Sequence, residues 1–104
     1  MDTLKRLEQT IAARAGASSD TSYVAKLNAK GTAKIAQKIG EEATETVIAS
    51  LSGNHDELVG EAADLLFHLM VLLQNKGVAL DEVLAELERR EGTSGLEEKA
   101  SRSE

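Results

Sequence analysis

The chain contains no cysteine, no proline and no tryptophan, and its aromatic side chains are one tyrosine and one phenylalanine in 104 residues. Without cysteine there is no disulfide framework, no thiolate-bound zinc and no thiol chemistry. Without proline, no helix is broken from within. Scarce aromatics and abundant Ala, Leu, Glu and Lys favour helix over sheet. Positive charge is in deficit, with 12 Lys and Arg against 18 Asp and Glu and a net charge of −6. That balance argues against a nucleic-acid partner. An anionic substrate then needs a local basic patch or a bound cation. Long apolar runs are also lacking. The longest, Leu69–Leu73, is far short of the roughly 20 residues that span a bilayer. The opening MDTLKRLEQT lacks the apolar centre of a signal peptide, so a cytoplasmic location is expected. The length suits a single domain over residues 1–104.

What is present is helical periodicity. Leu4, Leu7, Ile11 and Ala15 fall at helical spacing, with Gly16 as a stop. The polar loop ASSDTS leads to a short helix, YVAKLNAK, closed at Gly31. Thr32 is expected to cap a long helix ending at Gly53. Asn54 and Asp56 offer caps for a second long helix that runs to about Asn75, with Gly77 as its stop. Asp81 is expected to cap EVLAELERR. The tail TSGLEEKASRSE is polar, but Ser94 and Glu97 have capping-box spacing and allow a final short helix. No period-2 alternation is long enough for a strand. The expected fold is all-α, a bundle of about four to five helices.

The segment GEAADLLFHLMVLL poses the functional question. Advancing 100° per residue, Glu57, Glu61, Asp64, His68 and Asn75 share a stripe roughly 60° wide. Most of the remaining circumference is apolar, as in a buried helix. A single short chain has few helices to cover it, so a homodimer completing a four-helix core is expected. Buried carboxylates need pairing or a metal.

The preceding helix carries a matching set. Ile35, Ile39, Ala43, Val47 and Leu51 mark its expected core face, with Glu42 at the boundary and Lys38, Glu45, Glu41 and Lys34 on the flank. Glu42 and Glu45 are i, i+3 neighbours, as are Glu61 and Asp64. In an antiparallel hairpin both pairs converge. Four carboxylates around a point form a hard, all-oxygen site suited to Mg²⁺ or Mn²⁺. Such a site commonly holds a phosphate. Lys26, Lys30, Lys34 and Lys38 supply point charges for phosphate oxygens; Lys38 is the nearest to the acids.

The pattern Glu41-Glu42-x-x-Glu45 followed by Glu61-x-x-Asp64 resembles the signature of the all-α nucleoside triphosphate pyrophosphatases. Within them, SYVAKLNAKGTAKIAQKIGEEATE, EAADLLFHLMVLLQNKG and SGLEEKASR look like the phosphoribosyl-ATP pyrophosphatase family. The resemblance implies Mg²⁺-dependent hydrolysis between the α and β phosphates of phosphoribosyl-ATP, yielding phosphoribosyl-AMP and pyrophosphate in histidine biosynthesis. It implies Glu42, Glu45, Glu61 and Asp64 as metal ligands, and Glu41 as a further ligand or a base that orients water. It also places Lys38, Lys26, Ser22, Tyr23 and His68 as substrate contacts, His68 alternatively orienting a carboxylate. An ordered tail is a further implication.

Three other readings have distinct signatures. A house-cleaning nucleotide pyrophosphatase of the same superfamily would prefer free triphosphates. A non-catalytic oligomerisation module would use Glu61 and Asp64 in salt bridges and bind no metal. A di-iron bundle needs Glu-x-x-His, which the sequence lacks; its spacing is Asp64-x-x-x-His68.

Overall fold

A computed structural model describes residues 2–92 and 95–102. It holds helices α1 (Thr3–Ala15), α2 (Tyr23–Lys30), α3 (Thr32–Ser52), α4 (His55–Asn75), α5 (Leu80–Arg90) and α6 (Gly95–Ser101), with no strand among the described residues. The all-α expectation holds. The helix count exceeds the expected four to five because the polar tail forms α6; the capping residue expected for it, Ser94, lies outside the described residues.

The helix ends follow their local chemistry. Asp2 accepts from the Lys5 amide at 2.9 Å, Ser22 from Ala25 at 3.1 Å and Asn54 from Glu57 at 3.0 Å. Each satisfies one of the amides a helix start leaves unpaired. Gly53 ends α3 in the left-handed region at φ +78°, and Gly77 follows α4 at φ +71°, a conformation that costs glycine least. Two expected caps are corrected. Thr32 is the first residue of α3, and its hydroxyl donates to Asn75 Oδ1 at 2.7 Å. Asp81 lies inside α5 and pairs with Lys5. The α5 start is held instead by Glu82, which accepts from the Ala79 amide at 2.8 Å, and by Glu8 of α1, which accepts from Leu80 at 2.7 Å.

Helices α3 and α4 form an antiparallel hairpin. The start of α3 meets the end of α4 at Thr32–Asn75, and Glu42 and Glu45 meet Glu61 nearer the turn. The core sits at the open end of the hairpin. Ile11, Val24, Leu27, Ile35, Met70, Val71 and Leu80 interlock there, drawn from α1 to α5. Ile35 and Val71 are fully enclosed. Ile35→Ala is therefore expected to cost about 2–5 kcal/mol, and each kcal/mol lowers the melting temperature by about 4–8 °C in a domain of this size; thermal denaturation followed by circular dichroism measures it.

The expected α3 core face is also corrected. Ile35, Glu42 and Ala49 are the buried positions, spaced by seven, whereas Val47 and Leu51 are exposed. A row spaced by four advances about 400° per step, so it drifts about 40° each time and leaves the core side after a few turns. Near the hairpin turn, α3 exposes Val47, Ile48 and Leu51 and α4 exposes Val59, and past its midpoint α4 also exposes Leu66 and Leu69. No helix among the described residues is long and apolar enough to cross a membrane.

Candidate functional site

Partway along the hairpin, one carboxylate oxygen each from Glu42, Glu45 and Glu61 lies within 4.8 Å of the others. The i, i+3 step on α3 brings the first two to one side, and the antiparallel return of α4 brings the third. Glu42 is buried, Glu61 half-buried and Glu45 exposed. The cluster therefore opens outward from a covered floor. Glu42 Oε2 and Glu61 Oε2 are buried without a hydrogen-bond partner. A buried polar atom left unpaired is costly, and two in one acidic cluster suit a ligand that accepts lone pairs.

The electrostatics agree. Burial, then the neighbouring Glu45 and Asp64 charges, pushes the Glu42 carboxyl up, with the His68 imidazole pulling the other way. The close approach of the Glu45 carboxylate, burial and the charges of Glu45, Glu42 and Asp64 push Glu61 up to about 7. Two acids pushed up in one cluster mark a site short of positive charge. A hard cation relieves the crowding. The oxygens of Mg²⁺ ligands sit about 2.0–2.1 Å from the ion, so opposed ligands are slightly closer than the 4.8 Å limit of this cluster.

Asp64 stands at the exposed rim, one turn from Glu61, close enough to perturb Glu42 and Glu61 but outside the 4.8 Å set. Glu41 lies outside that set and accepts from Gln37 Nε2 at 3.2 Å. The i, i+4 spacing of that pair was visible in the sequence, yet the pairing was not among its expectations.

His68 is buried, with Nδ1 at 2.9 Å from the Asp64 carbonyl oxygen and 3.9 Å from Glu42 Oε1. Its Nε2 lies 2.9 Å from the Tyr23 hydroxyl. Ser22 is buried and structurally committed: its hydroxyl caps α2 and donates to the Arg14 carbonyl at 3.3 Å. Lys26 and Lys30 are exposed, Lys34 and Lys38 half-buried. Among the described residues none of the four has a side-chain ion pair or hydrogen bond, although acids outnumber bases in this chain.

Fold and site define an all-α protein centred on a carboxylate cluster suited to a hard cation. The model of the phosphoribosyl-ATP pyrophosphohydrolase family matches residues 4–91, and the chain belongs to that family. It is 69% identical over 104 residues to the phosphoribosyl-ATP pyrophosphatase of Erythrobacter litoralis, covering 100% of both chains. It is 71% identical over 102 residues to that of Novosphingobium aromaticivorans, covering 98% of this chain and 95% of the relative. With the enzyme of Rhizorhabdus wittichii it shares 67% over 100 residues, 96% of this chain and 94% of the other.

Proposed function

We propose that the chain hydrolyses phosphoribosyl-ATP to phosphoribosyl-AMP and pyrophosphate, by attack of water at the α–β phosphate linkage, in the second step of histidine biosynthesis. The observation that carries this reading, beside the family membership, is the three-carboxylate cluster with two unpartnered buried oxygens. We assign Mg²⁺, with Mn²⁺ as a substitute, to Glu42, Glu45 and Glu61, with Asp64 completing the set from the rim. When bound, the ion supplies positive charge to the phosphate oxygens and acidifies water. Glu41, steadied by Gln37, orients the attacking water or adds a ligand. Lys38 holds phosphate oxygens, with Lys26 further along the same unpaired series. Tyr23 serves the substrate directly and His68 supports it, whereas Ser22 contributes by fixing the start of α2. The cytoplasm is the proposed location.

The proposed assembly is a homodimer. The chain exposes 6993 Å², whereas a folded monomer of this mass exposes about 5,700 Å². Its radius of gyration is 15.8 Å, against about 13 Å for a compact chain of this length. The apolar face of Val47, Ile48, Leu51, Val59, Leu66 and Leu69 is where a second copy fits.

The test is pyrophosphate release from phosphoribosyl-ATP in Mg²⁺ and in EDTA, beside a panel of free nucleoside triphosphates. Release in Mg²⁺ that stops in EDTA is expected. Faster turnover of the free triphosphates would move the assignment to a house-cleaning nucleotide pyrophosphatase. A folded protein that neither releases pyrophosphate nor is stabilised by Mg²⁺ would return the acids to a structural role.

A further inference from the structure

The chain's only two aromatic side chains and one of its two histidines meet in one place. The Tyr23 and Phe67 rings are stacked at 6.1 Å with 20° between their planes, and His68 stands edge-on to both. A carbonyl oxygen only accepts, so the His68 Nδ1 facing Asp64 O carries the proton. His68 Nε2 and the Tyr23 hydroxyl share a hydrogen bond at 2.9 Å. Tyr23 is thus held at its tip by His68 and on one face by Phe67. Nevertheless it remains 48% exposed. A phenol fixed twice and still half open is a pre-organised surface rather than a buried core ring.

Its position matters. His68 links it to the carboxylates: its Nε2 lies 2.9 Å from the Tyr23 hydroxyl and its Nδ1 3.9 Å from Glu42 Oε1. One imidazole thus stands between the Tyr23 hydroxyl and a carboxylate of the cluster. Resting on the hydrolase reading above, we propose that Tyr23 is the platform on which the purine base of the nucleotide substrate stacks, with His68 and Phe67 as the positioning residues that hold its ring in place. Every base has a π face, and stacking on a fixed aromatic ring needs no ordering of the protein at the moment of binding. The carboxylates then handle the phosphate chain, and Tyr23 sets the base at one end of it.

The experiment compares wild type with Tyr23→Leu, which keeps apolar cover on Phe67, and Tyr23→Phe, which keeps the ring without its tether. In Tyr23→Leu, KM for phosphoribosyl-ATP is expected to rise between about fivefold and about a hundredfold, with kcat little altered. Tyr23→Phe should recover most of the loss. The chain's single tyrosine also gives one pair of ring doublets in proton NMR. AMP with Mg²⁺ should move both doublets upfield through the ring current of adenine, and ribose 5-phosphate with Mg²⁺ should leave them in place. An unaltered KM in Tyr23→Leu, or a tyrosine signal that AMP does not move, overturns the platform. So does a loss of dimer in Tyr23→Leu with KM unchanged, which would make the ring an interface residue. Wild type that releases no pyrophosphate in Mg²⁺ overturns the underlying hydrolase reading instead, and is scored before any variant.

Discussion

Glu61→Gln is expected to abolish Mg²⁺-dependent pyrophosphate release and, without metal near pH 7.5, to raise the melting temperature. The two effects have one cause. Glu42, Glu45 and Glu61 crowd their oxygens within 4.8 Å, an arrangement that opposes folding until a cation arrives. Glutamine keeps the shape and removes one negative charge. Loss of one preorganised electrostatic contact in a reacting site costs about 10²–10³ in rate, and loss of a metal ligand should cost at least as much. The pH dependence follows from the raised carboxyl. Between the unfolded value near 4.5 and the folded value of about 7, the native state binds more protons at Glu61 than the unfolded chain does. Stability of the metal-free chain therefore falls as pH rises through that window and levels off above it. Glu61→Gln flattens this contribution, and below pH 4.5 the two proteins should melt alike. Saturating Mg²⁺ reverses the order, because only the native cluster gains the binding free energy of the ion. Thermal melts in EDTA and in Mg²⁺ from pH 4 to 8 measure all of this. A variant that is less stable than wild type without metal at pH 7.5, or that gains as much from Mg²⁺, would show that Glu61 is not part of a cation site.

Much of this arrangement was legible in the residues alone, because it is local. Helices α1 to α4 follow from apolar spacing, and several of their ends from Asn54, Gly53 and Gly77. The convergence of acids follows from two i, i+3 pairs on helices joined by a turn too short for anything but an antiparallel return. What was not legible depends on partners distant in sequence. Asp81 reads as a cap until Lys5, 76 residues away, takes its carboxylate. Thr32 reads likewise until Asn75 takes its hydroxyl. Tyr23 and His68 are 45 residues apart, so no spacing rule joins them. Glu41 and Glu42 are adjacent, and the chemistry of the pair reads the same from sequence. One residue turns a helix by about 100°, which leaves Glu42 in the buried cluster and Glu41 beside Gln37. The α3 core face failed for a related reason, since a rule of four holds over two turns and not over five.

Replacing Ile48 or Leu66 by aspartate is expected to dissociate the proposed homodimer into monomers at micromolar concentration. Ile48 is 61% exposed on the isolated chain and Leu66 47%. A charge at either position faces water in the monomer and costs the fold little. In a twofold dimer each substitution enters the interface twice. An uncompensated buried charge costs about 3–5 kcal/mol, so each variant should raise the dimer dissociation constant by at least about a hundredfold. Analytical ultracentrifugation across a concentration series gives the constant, and circular dichroism shows whether the released monomer keeps its helices. The core of Ile11, Ile35 and Val71 lies at the other end of the hairpin, so the helices there should persist while the hairpin tip loosens. Activity then carries a second meaning. If pyrophosphate release disappears with the dimer although Mg²⁺ still stabilises the monomer, the partner contributes to the phosphate-binding side of the site. Wild type that sediments as a monomer at every concentration would mean that another surface, and not a second copy, covers this face.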